Sequence, residues 1–121
     1  MPKLGAVTPI LRIFDVAKAH EFYVGFLGFA VRFEHRFDDN APLYTGIVRD
    51  GCELHLSEHH GDGSPGANVR IEVTDIVGLH RELVDRKYRF ARPGVETTPW
   101  ETKEVTVIDP FGNSLTFYEK A

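Results

Sequence analysis

Residues 100–119 read WETKEVTVIDPFGNSLTFYE, and the predicted fold starts from this stretch. Two runs rich in β-branched and aromatic residues, 105–108 and 115–118, flank the segment Asp109-Pro110-Phe111-Gly112-Asn113. Proline presets φ for a turn, and glycine or asparagine accepts the left-handed conformation that closes it. The stretch therefore predicts a β-hairpin near the end of the chain.

A similar pattern occurs about sixty residues earlier, where residues 44–58 read YTGIVRDGCELHLSE. Segment 54–58 superimposes on 115–119 at an offset of 61, and Asp15-Val16 matches Asp75-Ile76 at an offset of 60. In each half an alternating strand, 7–14 or 68–74, precedes an aspartate that can cap a helix. Because strand phase, helix cap and hairpin all agree, the chain is interpreted as one βαβββ unit written twice.

The predicted fold class is α+β, with two βαβββ modules that form curled mixed sheets. We expect one domain over 1–121, in which module one spans 1–58 and module two spans 67–121. Residues 59–66, HHGDGSPG, join them as a linker, because they contain three glycines, one proline and no apolar side chain. A length of 121 residues is enough for one compact domain with its own core.

Composition excludes several classes of protein. The net charge of −4 argues against a nucleic-acid partner, which requires a clustered basic face. The single cysteine, Cys52, allows neither an internal disulfide nor a cysteine zinc cluster, and so fits a reducing, cytoplasmic setting. No long apolar segment and no signal-peptide pattern is present, so we expect no membrane partner.

Four stretches carry a resemblance to a known family: TPILRIFDVAKAHEFYVGFLGF (8–29), GIVRDGCELHLSE (46–58), PWETKEVTVIDPFGN (99–113) and LTFYE (115–119). They are similar to the bleomycin-resistance branch of the vicinal-oxygen-chelate superfamily, which also holds glyoxalase I and the extradiol dioxygenases. The resemblance implies that each four-stranded sheet curls into a half-barrel, with helices on the outer face and a crevice on the inner one.

The metal enzymes of this superfamily draw their ligands from the first and last strand of each module. The matching positions here are Thr8, His55, Asn68 and Thr116. A stable divalent site needs at least three histidine, carboxylate or thiolate groups, whereas this set offers one imidazole, two hydroxyls and an amide. We therefore expect no metal ligand, no catalytic residue and no cofactor, and the chain is predicted not to be an enzyme.

The crevice is predicted from strand phase. Apolar residues of the strands point to the helices, and the opposite phase supplies a polar wall. Trp100 reads either as a ligand platform or as a structural anchor of its loop. Arg12 with Glu72, and Glu53 with Arg70, are expected to pair across the crevice. The predicted ligand-binding residues are Trp100, Phe33, Phe37, Tyr44, His55, Arg70, Asn68, Thr116 and Tyr118.

The resemblance implies a non-catalytic protein that sequesters a bleomycin-family glycopeptide, metal-free or bound to copper or another metal, and so gives antibiotic resistance. Two alternatives stay open: a metal-dependent lyase or dioxygenase of the glyoxalase type, and a divergent binder of another small metabolite. The family also implies a homodimer with a domain swap, in which an N-terminal arm of about eight to ten residues is exchanged. Pro9 favours such an arm because it weakens local strand pairing.

Overall fold

The computed structural model describes residues 1–88 and 93–120 of the chain. Its elements occur in the predicted order, strand, helix and three strands, twice over. In chain order they are β1 (Ile10–Arg12), α1 (Val16–His20) continued by a π-helical segment (Glu21–Phe26), β2 (Ala30–His35), β3 (Tyr44–Arg49), β4 (Cys52–Ser57), β5 (Asn68–Glu72), α2 (Ile76–Asp85), β6 (Glu96–Thr97), β7 (Thr102–Ile108) and β8 (Ser114–Lys120).

The strands form two four-stranded mixed sheets with equivalent topology. Their orders are β1-β4-β3-β2 and β5-β8-β7-β6. In each sheet the first and last strands of the module in chain order, β1 with β4 and β5 with β8, are parallel neighbours. The remaining pairs are antiparallel. The predicted α+β fold with two βαβββ modules is confirmed. Of the predicted second module, residues 89–92 and 121 lie outside the described residues.

Both predicted aspartate caps form. Asp15 has extended backbone and accepts a hydrogen bond from the Lys18 amide at 2.9 Å, while Asp75 accepts one from the Gly78 amide at 3.1 Å. These carboxylates satisfy N–H groups that have no partner within the helix. The first helix then widens into a π-helical segment that buries Phe22, Tyr23 and Phe26.

The first strand is much shorter than the predicted 7–14. Pro9 has no N–H to donate, although its carbonyl still accepts a hydrogen bond from the His55 amide at 2.9 Å. Regular pairing therefore begins only at Ile10. Residues 1–8 are all exposed, so the alternation at positions 7 and 8 does not correspond to a buried strand face.

The apolar faces of both sheets and the buried side of the helices share one core, which reaches from Leu11 and Leu56 in the first module to Leu115 and Phe117 in the second. The polar faces of the two sheets therefore lie on the outside of the chain. Within the described residues, no helix has the length and apolarity needed to cross a membrane.

Candidate ligand-binding site

The polar face of the first sheet carries a cluster that we call wall one: Arg32, Phe33, Tyr44, Glu53 and His55. The Phe33 ring lies nearly parallel to Tyr44, with centroids 6.2 Å apart, and meets His55 edge-on at 5.2 Å. A β-bulge between Val31 and Phe33 shifts the register, so that Phe33 pairs with Gly46. Gly46 has no side chain, and the Phe33 ring occupies the space that a Cβ would need.

A chain of short hydrogen bonds orders wall one. Tyr44 Oη lies 2.6 Å from His55 Nδ1, and His55 Nε2 lies 2.6 Å from a Glu53 oxygen. Because an ionised carboxylate only accepts, Nε2 donates to Glu53, and in the neutral form of the ring Nδ1 accepts the Tyr44 hydroxyl. Arg32 adds two bonds of 3.0 Å to the same carboxylate.

These contacts shift the pKa of Glu53 and the pKa of Tyr44. The hydrogen bond from His55 lowers the pKa of Glu53, and Arg32 lowers it further. Burial raises the pKa of Tyr44, and the charges of Asp62 and Glu53 raise it further. Tyr44 therefore stays a phenol at neutral pH.

The polar face of the second sheet carries wall two: Arg70, Trp100, Thr102, Glu104 and Tyr118. Glu104 is almost fully buried and accepts hydrogen bonds from Arg70 Nη2 at 2.9 Å, Thr102 Oγ1 at 2.8 Å and Trp100 Nε1 at 3.2 Å. These bonds, with that from Arg70 the largest cause, lower the pKa of Glu104 to about 2. The Arg70 guanidinium also lies over the Tyr118 ring at 4.6 Å.

Trp100 is anchored at its nitrogen and open on its ring. Its N–H is held by Glu104, which makes it an anchor, and 63% of the residue is nevertheless exposed. An indole fixed at its nitrogen and open on its ring is suited to stacking, because little side-chain freedom remains to be lost when a flat ligand arrives.

The predicted pairing of charges is wrong. Arg32, not Arg70, holds Glu53, and Arg70 holds Glu104 instead. Arg12 donates to the His59 carbonyl at 2.8 Å rather than pairing with Glu72. Strand phase alone could have placed Glu104 on the polar face, because it shares the phase of Thr102 and Thr106 in TKEVTVI.

Six of the nine predicted ligand-binding residues fall into the two walls. The other three, Phe37, Asn68 and Thr116, belong to neither cluster, although Thr116 is the strand neighbour of Arg70. Phe37 is 81% exposed, and its ring meets the rings of His35 and His59 edge-on. Asn68 is exposed at the start of β5, and the Thr116 hydroxyl is 2.9 Å from that of Thr106.

The four positions that match metal ligands in the superfamily do not form a donor set here. Thr8 lies in the exposed N-terminal segment, and both ring nitrogens of His55 are occupied by Tyr44 and Glu53. On the first strand of each module, the residues that pair with His55 and Thr116 are Ile10 and Arg70. Neither side chain is a metal ligand. Across residues 1–88 and 93–120, no group of three or more histidine, cysteine, aspartate or glutamate side chains could hold an ion.

This fold and these walls can be compared with known proteins. A family model described as a glyoxalase superfamily protein matches residues 3–121. The chain belongs to the glyoxalase superfamily. Membership explains the doubled βαβββ topology and the resemblance carried by the first helix and the DPFGN turn.

Relatives within the glyoxalase superfamily include bleomycin-binding proteins. A bleomycin resistance protein of Staphylococcus aureus is 28% identical over 130 residues, which cover 93% of this chain and 94% of the relative. The bleomycin-binding protein of Streptomyces verticillus, solved with copper(II)-bleomycin, aligns with a TM-score of 0.72 at 28% identity and covers 100% of this chain and 99% of its own. Another bleomycin-binding protein, solved with bleomycin, shares the fold with a TM-score of 0.75 at 19% identity. The alignment covers 98% of this chain and 100% of that protein.

Proposed function

We propose that this glyoxalase-superfamily chain is a non-catalytic cytoplasmic protein that sequesters a bleomycin-family glycopeptide and so protects the cell from the antibiotic. The exposed, nitrogen-anchored ring of Trp100 carries the proposal. Relatives named for bleomycin resistance or solved with bleomycin support the ligand class.

Flat heteroaromatic groups are the part of such a ligand that the walls suit best. A ring stacked on Trp100 gains about 0.5–1.5 kcal/mol beyond the area it buries. In wall two, the carboxylate of Glu104 is neutralised by Arg70 and accepts the hydrogen bond of the indole N–H. The ligand therefore meets an aromatic platform, and the buried charge does not oppose its approach.

A second copy completes the site in this proposal. The walls lie on the outer faces of two sheets that share one core, so a single chain leaves both open to solvent. Placing wall one of one protomer opposite wall two of the other would form two equivalent crevices in a closed dimer. The exposed residues 1–8 are free to be exchanged between protomers. Light scattering at micromolar concentration should give the mass of a dimer, and the mass of a monomer would remove the shared crevices.

The ligand is tested by titration with bleomycin, with and without copper(II), followed by Trp100 fluorescence and calorimetry. Trp100 is the only tryptophan, so quenching reports directly on this wall. Trp100→Leu should weaken binding in calorimetry by about tenfold, corresponding to one lost stacking contact of about 1.4 kcal/mol. Phe14→Leu is the matched control, because Phe14 is an exposed aromatic residue outside both walls. Unchanged fluorescence together with no heat would count against the proposal.

The enzymatic alternative of the superfamily rests on the hydrogen-bonded chain of Tyr44, His55 and Glu53, which resembles an arrangement for moving a proton. Binding without turnover is the better-supported function, because the relatives described above are named for bleomycin resistance or were solved with bleomycin. Elemental analysis after chelation and re-addition of metal separates the two. A metal retained at one per chain would favour the enzyme.

A further inference from the structure

A cavity lies between the two modules, and none of its lining residues belongs to either wall. Its volume is about 520 Å³, within the range that holds small organic ligands. On one side are Leu27, Phe29 and the β3–β4 turn, and on the other are β5 and the first turns of α2. Neither the sequence pattern nor the proposed function assigns it a role.

The floor of this inter-module cavity is apolar. Leu27, Phe29 and Phe117 are buried beneath it, while Ile71 and Leu79 remain half-exposed along its sides. Apolar side chains that stay partly exposed inside a concave surface are a usual feature of ligand sites, since a ligand can cover them.

The charges around the cavity are not balanced. Arg49 donates two hydrogen bonds to Glu82, at 2.7 Å and 3.1 Å, and Arg86 lies 3.1 Å from the same carboxylate, so the charge of Glu82 is neutralised. Glu72 and Asp75 also line the cavity. Neither forms an ion pair with any described residue, although one Asp75 oxygen caps α2 at the Gly78 amide. Asp50 adds a third acid, 90% exposed and 3.6 Å from Arg49. The rim is therefore net negative above an apolar floor.

We propose that the inter-module cavity binds a small organic ammonium with one aromatic or branched apolar group. The apolar group covers Ile71 and Leu79, and the ammonium lies near Glu72 and Asp75 at the rim. An anion of the same shape is repelled by the same carboxylates, so charge selects the ligand class.

Cys52 provides a reporter inside this cavity. Its thiol is half-buried in the lining, and burial raises the pKa of the thiol. As the only cysteine of the chain, it gives a single labelling signal. A neutral reagent such as N-ethylmaleimide is preferred, because a charged reagent would respond to the bound ammonium itself.

The experiment measures the rate of Cys52 alkylation by mass spectrometry with three probes of matched shape: phenethylammonium, 2-phenylethanol and phenylacetate. Phenethylammonium at ten times its dissociation constant should slow alkylation by about tenfold, because only the empty cavity reacts. At the same concentration, 2-phenylethanol should protect Cys52 from alkylation less than phenethylammonium does, and phenylacetate should protect it least. Equal protection by all three, or protection by none, overturns the proposal.

Variants locate the effect. Glu72→Gln should reduce the advantage of phenethylammonium over 2-phenylethanol, whereas the matched Glu21→Gln, on the exposed side of the first helix, should not. Leu79→Trp should fill the cavity and slow alkylation without any probe.

The exposed residues 1–8 are the competing occupant of the cavity. If their deletion speeds alkylation and abolishes the difference between probes, the cavity belongs to that segment and the proposal fails. Bleomycin titration through Trp100 reports on the walls separately, so either proposal can fail alone.

Discussion

Removing the Tyr23 hydroxyl should cost more stability than removing any half-exposed hydroxyl of the chain. Tyr23 is fully buried and donates at 2.7 Å to Asp109, 86 residues away in the turn between β7 and β8. Burial, with the charge of Asp109 in addition, raises the pKa of Tyr23 far above its ordinary value, so the hydroxyl remains a donor. The bond thus links the first helix to the hairpin of the second module.

The magnitude follows from the partner. A hydrogen bond to a charged group contributes about 1.5–3 kcal/mol. Its loss leaves the buried carboxylate of Asp109 with one hydrogen bond fewer. Tyr23→Phe keeps the ring and should lower the free energy of unfolding by that amount, with a fall in Tm of about 4 °C per kcal/mol. The matched control, Tyr44→Phe, removes a half-exposed hydroxyl bonded to the His55 ring and should cost about 0.5–1.5 kcal/mol.

Urea unfolding followed by circular dichroism measures both variants. An unchanged slope of free energy against urea would show that the change lies in stability and not in the surface exposed on unfolding. If Tyr23→Phe proves no less stable than Tyr44→Phe, the two modules are not held together through this bond, and the reasoning from the buried carboxylate is wrong.

Three further perturbations test separate parts of the structure. Gly46→Ala should cost about 1–3 kcal/mol, because the new methyl displaces the Phe33 ring, and near-ultraviolet circular dichroism should show the altered aromatic packing of wall one. Asp15→Ala should cost about 1 kcal/mol in thermal unfolding, through loss of the first helix cap, whereas Asp15→Asn should cost little. The pKa of Glu104 is lowered from 4.5 to about 2, so its contribution to stability is present above pH 4.5 and lost as the pH falls toward 2. Wild type should therefore lose its advantage over Glu104→Gln within that interval in acid titrations of stability, and a constant difference would contradict the assignment.

The local features of this fold could be read from the sequence because each depends on a few neighbouring residues. Strand phase places Leu54 and Leu56 on the core side, and both are buried. The caps at Asp15 and Asp75 depend on amides only three residues ahead. The doubled unit follows from repetition of these signals, and no long-range contact has to be known to find it.

The partners of the polar side chains were decided only by tertiary structure. Arg70 meets Glu104 because β5, β8 and β7 lie side by side in the second sheet, and the sequence contains no signal for that lateral position. The bulge before Phe33 turns this ring toward His55, which strict alternation does not specify. The inter-module cavity depends on how two separately encoded modules pack. Phase and capping are set within about four residues of chain, whereas ion pairs, bulges and cavities are set by which strands and modules become neighbours.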